Sequence, residues 1–81
     1  MTRSVFTVAY ARMCELLIAG RRAQGMTQAD VAQALGRPQS FVAKYERGER
    51  RLDLVEFLEV AAVLRLDADA VVAEVRAGMT G

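Results

Sequence analysis

The stretch TQADVAQALGRPQSFVAKYERG, residues 27–48, contains an apolar pattern that breaks once at Gly36 and then starts again. Thr27 followed by Asp30 resembles a capping box, in which the threonine hydroxyl accepts an orphan backbone N–H and the carboxylate bonds back to the cap. Gly36 permits the left-handed backbone that a tight break between two helices needs. We therefore predict two short helices, the first starting at Thr27 and the second at Pro38.

The second short helix is predicted to end at Glu46, because Arg47 and Gly48 follow it. Pro38 is the only proline, and its missing N–H costs nothing at the cap or first turn of a helix. The apolar spacing predicts a packed side on each helix. The buried residues are expected to be Val31, Ala32 and Leu35 on the first helix and Pro38, Val42 and Tyr45 on the second.

Three further helices are predicted from the same kinds of signal. One runs from about residue 8 to 23 and ends before Gly25. Another follows the capping pair Asp53 and Glu56, and the last begins at Asp67. The core positions expected on these last two helices are Leu54, Phe57, Leu58, Ala61, Leu64, Val71, Val72 and Val75. The chain is therefore expected to form one all-α, five-helix domain, with an N-terminal arm at 1–7, a helical core at 8–77 and a tail at 78–81.

The arm contains the segment RSVFT, residues 3–7, whose residue types favour a strand. A single strand has no partner inside an all-helical domain. The segment either pairs with its equivalent across a dimer or lies on the core as a frayed terminus.

Composition excludes several classes of protein. The 81 residues include no histidine and one cysteine, Cys14, so neither a zinc site nor an internal disulfide is expected. No run of 18 apolar residues is present, and we expect a cytoplasmic protein with neither a membrane span nor a secretory signal. Without a partnered nucleophile, we expect no enzyme activity and no cofactor. Hydrophobic residues make up 53% of the chain, which favours self-association.

Charge is uneven along the chain although the net charge is only +1. Residues 37–51 carry five basic and two acidic groups, whereas residues 52–81 carry two basic and six acidic groups. A basic segment followed by an acidic half indicates a polarised molecule with one face able to meet a polyanion. A solvated charge run with no partner would have the same composition.

The second short helix has two different sides. At 100° per residue, its outward side combines an amide, a hydroxyl, a methyl and two cations, which match base edges and phosphates in the major groove. These outward residues are Gln39, Ser40, Ala43, Lys44 and Arg47. Phe41 lies between the two sides and either fills a gap against the preceding helix or reaches a thymine methyl.

The stretch TQADVAQALGRPQSFVAKYERGER resembles the helix-turn-helix of the lambda-repressor-like, or Xre, family of DNA-binding regulators. The residues that carry the resemblance are Thr27-Gln28, Ala32, Gly36, Val42 and the YERG of 45–48. The similarity continues to about residue 75 and implies the compact five-helix fold of that family. Gly20 departs from the family pattern, and we expect a close packing contact there.

The resemblance also implies roles for individual side chains. By position, Gln39, Ser40, Ala43 and Lys44 resemble residues that read bases. Gln28, Arg37, Arg47, Arg50 and Arg51 resemble residues that contact phosphates. Arg21 and Glu46 match positions that form a structural ion pair between two helices.

The leading hypothesis is a sequence-specific transcriptional regulator, a repressor or activator of its own or a neighbouring operon, that binds an inverted-repeat operator in double-stranded DNA as a homodimer. The alternative is a protein-interaction module of the same fold, either an antitoxin or an antiactivator. The basic 37–51 segment argues against a complete loss of DNA binding, whereas the apolar excess and acidic C-terminal half leave room for a protein partner.

Overall fold

The computed structural model describes residues 7–79, which form five α-helices. The helices are α1 (Val8–Ala23), α2 (Gln28–Leu35), α3 (Gln39–Glu46), α4 (Leu54–Val63) and α5 (Ala68–Ala77). The all-α, five-helix prediction is confirmed. The strand considered for RSVFT falls almost entirely on residues outside this range. None of the helices described is long and apolar enough to cross a membrane.

Side-chain caps determine where four of the helices begin. Each cap oxygen accepts a hydrogen bond from a backbone N–H in the first turn, which satisfies a donor that has no partner within the helix. The four capping residues are Thr7, Thr27, Asp53 and Asp67. Asp30 and Glu56 complete capping boxes by accepting the backbone N–H of Thr27 and Asp53. Both capping boxes were predicted from the sequence.

All five helices contribute to one hydrophobic core. Its buried members are Leu17, Val31, Ala32, Phe41, Val42, Tyr45, Phe57, Val60, Ala61, Leu64 and Val71. Cys14 is also buried, and its thiol donates to the carbonyl oxygen of Tyr45 at 3.3 Å. Burial raises the pKa of the Cys14 thiol, so it stays protonated and acts as a packing residue.

The core predicted for α4 and α5 is confirmed at Phe57, Ala61, Leu64 and Val71 and is wrong at three other positions. Leu54, Leu58 and Val72 are 67%, 47% and 39% exposed. Val60 is completely buried instead, so the buried stripe of α4 is rotated toward that residue. The rotation occurs because the neighbouring helices decide which part of a broadly apolar helix is covered. Leu54 and Val72 line an open groove beside α5.

The packed side of α3 also differs from the prediction. Pro38 is exposed as the N-cap, with φ −65°, and Phe41 is buried together with Val42 and Tyr45. The proline precedes the helix, so its ring does not follow the helical stripe. Of the two roles considered for Phe41, the structure therefore supports packing.

Gly20 lies where α1 meets the loop between α4 and α5. A β-carbon built on Gly20 would come within 2.8 Å of Leu66 Cδ1. The absent side chain therefore allows Leu66 to pack directly against the α1 backbone, which explains a glycine inside a helix.

Candidate nucleic-acid interface

The α2–α3 connection is a tight turn around Gly36. The backbone of Gly36 is left-handed, with φ 69° and ψ 32°, and the N–H of Arg37 donates to the carbonyl oxygen of Ala32 at 2.9 Å. This hydrogen bond satisfies a carbonyl at the end of α2 and terminates the helix. The turn therefore sets α3 across α2 as a separate, short element.

The outward side of α3 presents polar side chains to solvent. Gln39, Ser40, Lys44 and Arg47 are exposed, and Ala43 is half-buried. Two of these residues, Gln39 and Ser40, stand in the first turn, which is the part of a recognition helix that contacts base edges. The proposed base readers therefore share one accessible face.

An ion pair attaches α3 to α1. Arg21 donates from Nε to Glu46 Oε2 at 2.7 Å and from Nη2 to Glu46 Oε1 at 3.1 Å. Both side chains are largely buried, so the pair is shielded from water. A paired guanidinium and carboxylate fix each other in two directions, which restrains the angle at which α3 is presented.

Gln28 joins the same network at the start of α2. Its Nε2 donates to Glu46 Oε1 at 2.9 Å. A carboxylate only accepts hydrogen bonds, so the amide must turn its NH2 group toward Glu46. The amide of Gln28 is consequently positioned by the ion pair, and its NH2 group carries a second N–H for another acceptor.

A second cluster, which we call the Arg37–Arg50 cluster, contains Arg37, Phe41, Arg50 and Glu56. Arg50 donates to both carboxylate oxygens of Glu56, at 3.0 and 2.9 Å, and Arg37 donates to Glu56 Oε2 at 3.4 Å. Both guanidinium carbons lie over the Phe41 ring, 4.5 and 4.8 Å from its centroid. The hydrogen bonds from Arg50 are the main reason that the pKa of Glu56 falls to about 2, so this carboxylate is ionised at neutral pH.

The remaining predicted phosphate contacts, Arg47 and Arg51, follow α3. Arg47 forms two hydrogen bonds to Glu49, at 3.0 and 3.1 Å, on the exposed surface. The guanidinium of Arg51 lies 4.7 Å from the centroid of the Tyr10 ring. The two side chains therefore face different neighbours, Glu49 and Tyr10.

Tyr10 restrains the loop that carries Arg50 and Arg51. Its hydroxyl donates to the carbonyl oxygen of Arg50 at 3.1 Å and accepts from the N–H of Leu52 at 3.2 Å. Local sequence signals indicated Glu56 only as a cap and gave no role to the Tyr10 hydroxyl. No local pattern could have indicated these contacts, because Tyr10 and Arg50 are 40 positions apart.

A glycine turn joins α2 to the short helix α3, which has an exposed polar face and flanking arginines. This arrangement defines a helix-turn-helix DNA-binding protein. The family model described as Helix-turn-helix matches residues 17–71 of the chain. The chain belongs to this family, the XRE family of DNA-binding transcriptional regulators.

A solved structure shows the same relationship over most of the chain. The XRE-family like protein from Pseudomonas syringae pv. tomato str. DC3000 is 42% identical to this chain and superposes on it with a TM-score of 0.81. The alignment covers 90% of this chain and 88% of the other. A search of curated proteins gave no match.

Proposed function

We propose that the protein is a sequence-specific transcriptional regulator that reads an operator with α3. The observation that carries the proposal is the exposed face formed by Gln39, Ser40 and Lys44 on a helix whose orientation is restrained by the Arg21–Glu46 ion pair. A Gln side chain can hydrogen-bond to adenine, a Lys side chain to guanine and a Ser side chain to either base. The methyl group of Ala43 can contact the methyl group of a thymine.

The arginines around α3 are proposed to contact phosphates and thereby place this face in the major groove. Arg37 precedes α3, whereas Arg47, Arg50 and Arg51 follow it. Gln28 adds an amide at the start of α2, already oriented by Glu46. Phosphate contacts fix the register of a protein on the duplex, and base contacts select the sequence.

The proposed operator is an inverted repeat bound by a homodimer. Two half-sites would lie about 34 Å apart, one turn of DNA, on the same side of the duplex. A domain of this size makes few base contacts, and linking two copies roughly adds their binding free energies. Binding by a dimer would repress or activate the operon that contains the operator.

The surface proposed for dimerisation is an apolar groove between α1, α4 and α5. It has a volume of about 480 Å³ and is lined by Met13, Leu52, Asp53, Leu54, Phe57, Val71, Val72, Val75, Arg76 and Met79. Two members, Asp53 and Arg76, carry opposite charges. In a two-fold interface a contact between Asp53 of one copy and Arg76 of the other would occur twice, which favours pairing of this surface with itself.

Val72→Glu tests this surface, because it places a charge in the groove. The variant is expected to be monomeric in sedimentation equilibrium at concentrations where the unsubstituted protein is a dimer. Ala34→Glu, on the exposed side of α2, adds the same charge outside the groove and is the control. A dimeric Val72→Glu variant would exclude this groove as the interface.

Selection of bound sequences from random duplex DNA tests the proposed function as a whole. We expect an enriched inverted repeat, bound with an affinity that falls steeply as salt rises. Weak binding with no enriched sequence would contradict operator recognition by α3.

The alternative is an antitoxin or antiactivator that uses the same fold to bind a protein. Exposed Leu54, Leu58, Val72 and Met79 are the observation in its favour. Purification from the native host distinguishes the two functions. A stoichiometric second protein that blocks the Val72 surface would support the alternative, and a lone homodimer would support the regulator.

A further inference from the structure

The Arg37–Arg50 cluster brings together side chains from both ends of α3. Arg37 lies before the helix and Arg50 lies in the loop after it, yet both contact the same ring and the same carboxylate oxygen. Phe41 stands in the first turn of α3, so the Arg50 side chain extends back along the helix. The two guanidinium groups are therefore held near the end of α3 that carries Gln39 and Ser40.

The charges in the cluster are arranged from the interior outward. The side chain of Glu56 is 11% exposed, whereas those of Arg37 and Arg50 are 39% and 41% exposed. Two cations and one anion leave a net charge of +1 at the surface. The carboxylate therefore lies behind the arginines, and their outer N–H groups are accessible to an anion.

Within residues 7–79, the contacts of Arg37 leave most of its N–H donors without a protein acceptor. A guanidinium has five N–H donors, and one nitrogen of Arg37 is within hydrogen-bond distance of Glu56. Stacking on Phe41 restricts the plane of the group without occupying any donor. An incoming phosphate can therefore be bound while the contacts with Phe41 and Glu56 persist.

Glu56 also has a local structural role, which can be separated from its contacts with Arg37 and Arg50. It completes the capping box of α4 by accepting the N–H of Asp53 at 3.0 Å. Glutamine also occurs at this position of capping boxes, because its side-chain oxygen can accept the same N–H. Exchange of the carboxylate for an amide therefore removes the charge while retaining the cap.

We propose that Glu56 and Phe41 are positioning residues that hold the guanidinium groups of Arg37 and Arg50 in place for the DNA phosphate backbone. This inference rests on the proposed function, because it concerns how the same interface is assembled. Arginine side chains lose conformational freedom when they bind, and holding them in advance removes part of that cost.

The test compares Glu56→Gln with Glu59→Gln, using a fluorescently labelled duplex that contains the selected inverted repeat. Both substitutions remove one negative charge from α4, but Glu59 is exposed and forms no ion pair within residues 7–79. Simple electrostatics predicts tighter binding by both variants. We expect tighter binding by Glu59→Gln and about 5- to 30-fold weaker binding by Glu56→Gln, because its arginines must be ordered during binding.

A double-substitution cycle separates positioning from a general structural role. In a background that carries Arg37→Gln and Arg50→Gln, Glu56→Gln is expected to cause no further loss of affinity. Phe41→Leu, which keeps apolar volume but removes the ring, is expected to weaken binding as Glu56→Gln does. Circular dichroism and thermal unfolding establish that each variant is folded at the assay temperature.

Equal or tighter binding by folded Glu56→Gln would overturn the inference, as would a loss that persists in the background without the two arginines. If the unsubstituted protein binds DNA and either result is obtained, the inference alone fails. If the unsubstituted protein binds no duplex, the proposed function fails and the inference fails with it.

Discussion

At the scale of single residues, base readers and phosphate contacts have different measurable signatures. Gln39→Ala is expected to cost about 1 to 3 kcal/mol on the selected operator and to relax preference at one base pair, because a specific hydrogen-bond pair is lost. Arg47→Ala is the comparison: it should weaken binding to every sequence and reduce the salt dependence. Competition assays on operator variants measure both effects, and an unchanged preference in Gln39→Ala would exclude Gln39 as a base reader.

Tyr45 provides a residue-scale prediction about stability. Its hydroxyl is buried without a hydrogen-bond partner among residues 7–79, and burial raises its pKa. An unpaired buried hydroxyl opposes folding, so Tyr45→Phe is expected to leave the free energy of unfolding unchanged or raise it by about 1 kcal/mol. Urea unfolding measures this value, with Tyr10→Phe as the contrast because the Tyr10 hydroxyl is hydrogen-bonded. Destabilisation of Tyr45→Phe by more than Tyr10→Phe would contradict the prediction.

At the scale of helices, the Arg21–Glu46 pair fixes α3 against α1, and Arg21 also donates to the carbonyl oxygen of Met26 in the turn after α1. Arg21→Ala leaves a buried carboxylate without its cation and is expected to lower the free energy of unfolding by about 3 kcal/mol. The matched control is Arg12→Ala, which breaks exposed pairs with Glu15 and Glu74 and should cost less than about 1 kcal/mol. Chemical unfolding of both variants checks the prediction, and equal losses would show that burial of the ion pair has no special weight.

At the scale of the whole molecule, Glu56 connects the turn before α3, the loop after α3 and the start of α4. The pKa of its carboxyl falls from 4.5 to about 2 in the folded protein, mainly because Arg50 donates to it. Its contribution to stability is therefore present above pH 4.5 and is lost as pH falls toward 2. Thermal unfolding across this range should show a smaller decline in Glu56→Gln than in the unsubstituted protein. Parallel declines would show that other carboxyl groups cause the acid sensitivity.

The sequence by itself determined where the helices lie and which side of α3 is exposed. Capping residues, Gly36 and Pro38 act on backbone groups within a few positions, so the starts of α2, α3, α4 and α5 were predicted to within one residue. The exposed face of α3 followed from helical spacing, because this spacing also relates residues only a few positions apart.

Only the tertiary structure decided which apolar side chains are covered and which charges meet. Leu54 and Val60 are both compatible with a buried stripe on α4, and the crossing of the neighbouring helices selects Val60. Arg37 and Glu56 are 19 positions apart, so no local spacing relates them. Burial and ion pairing depend on how the helices are placed relative to one another. A side chain is covered, or meets its ion-pair partner, only after the helices have packed.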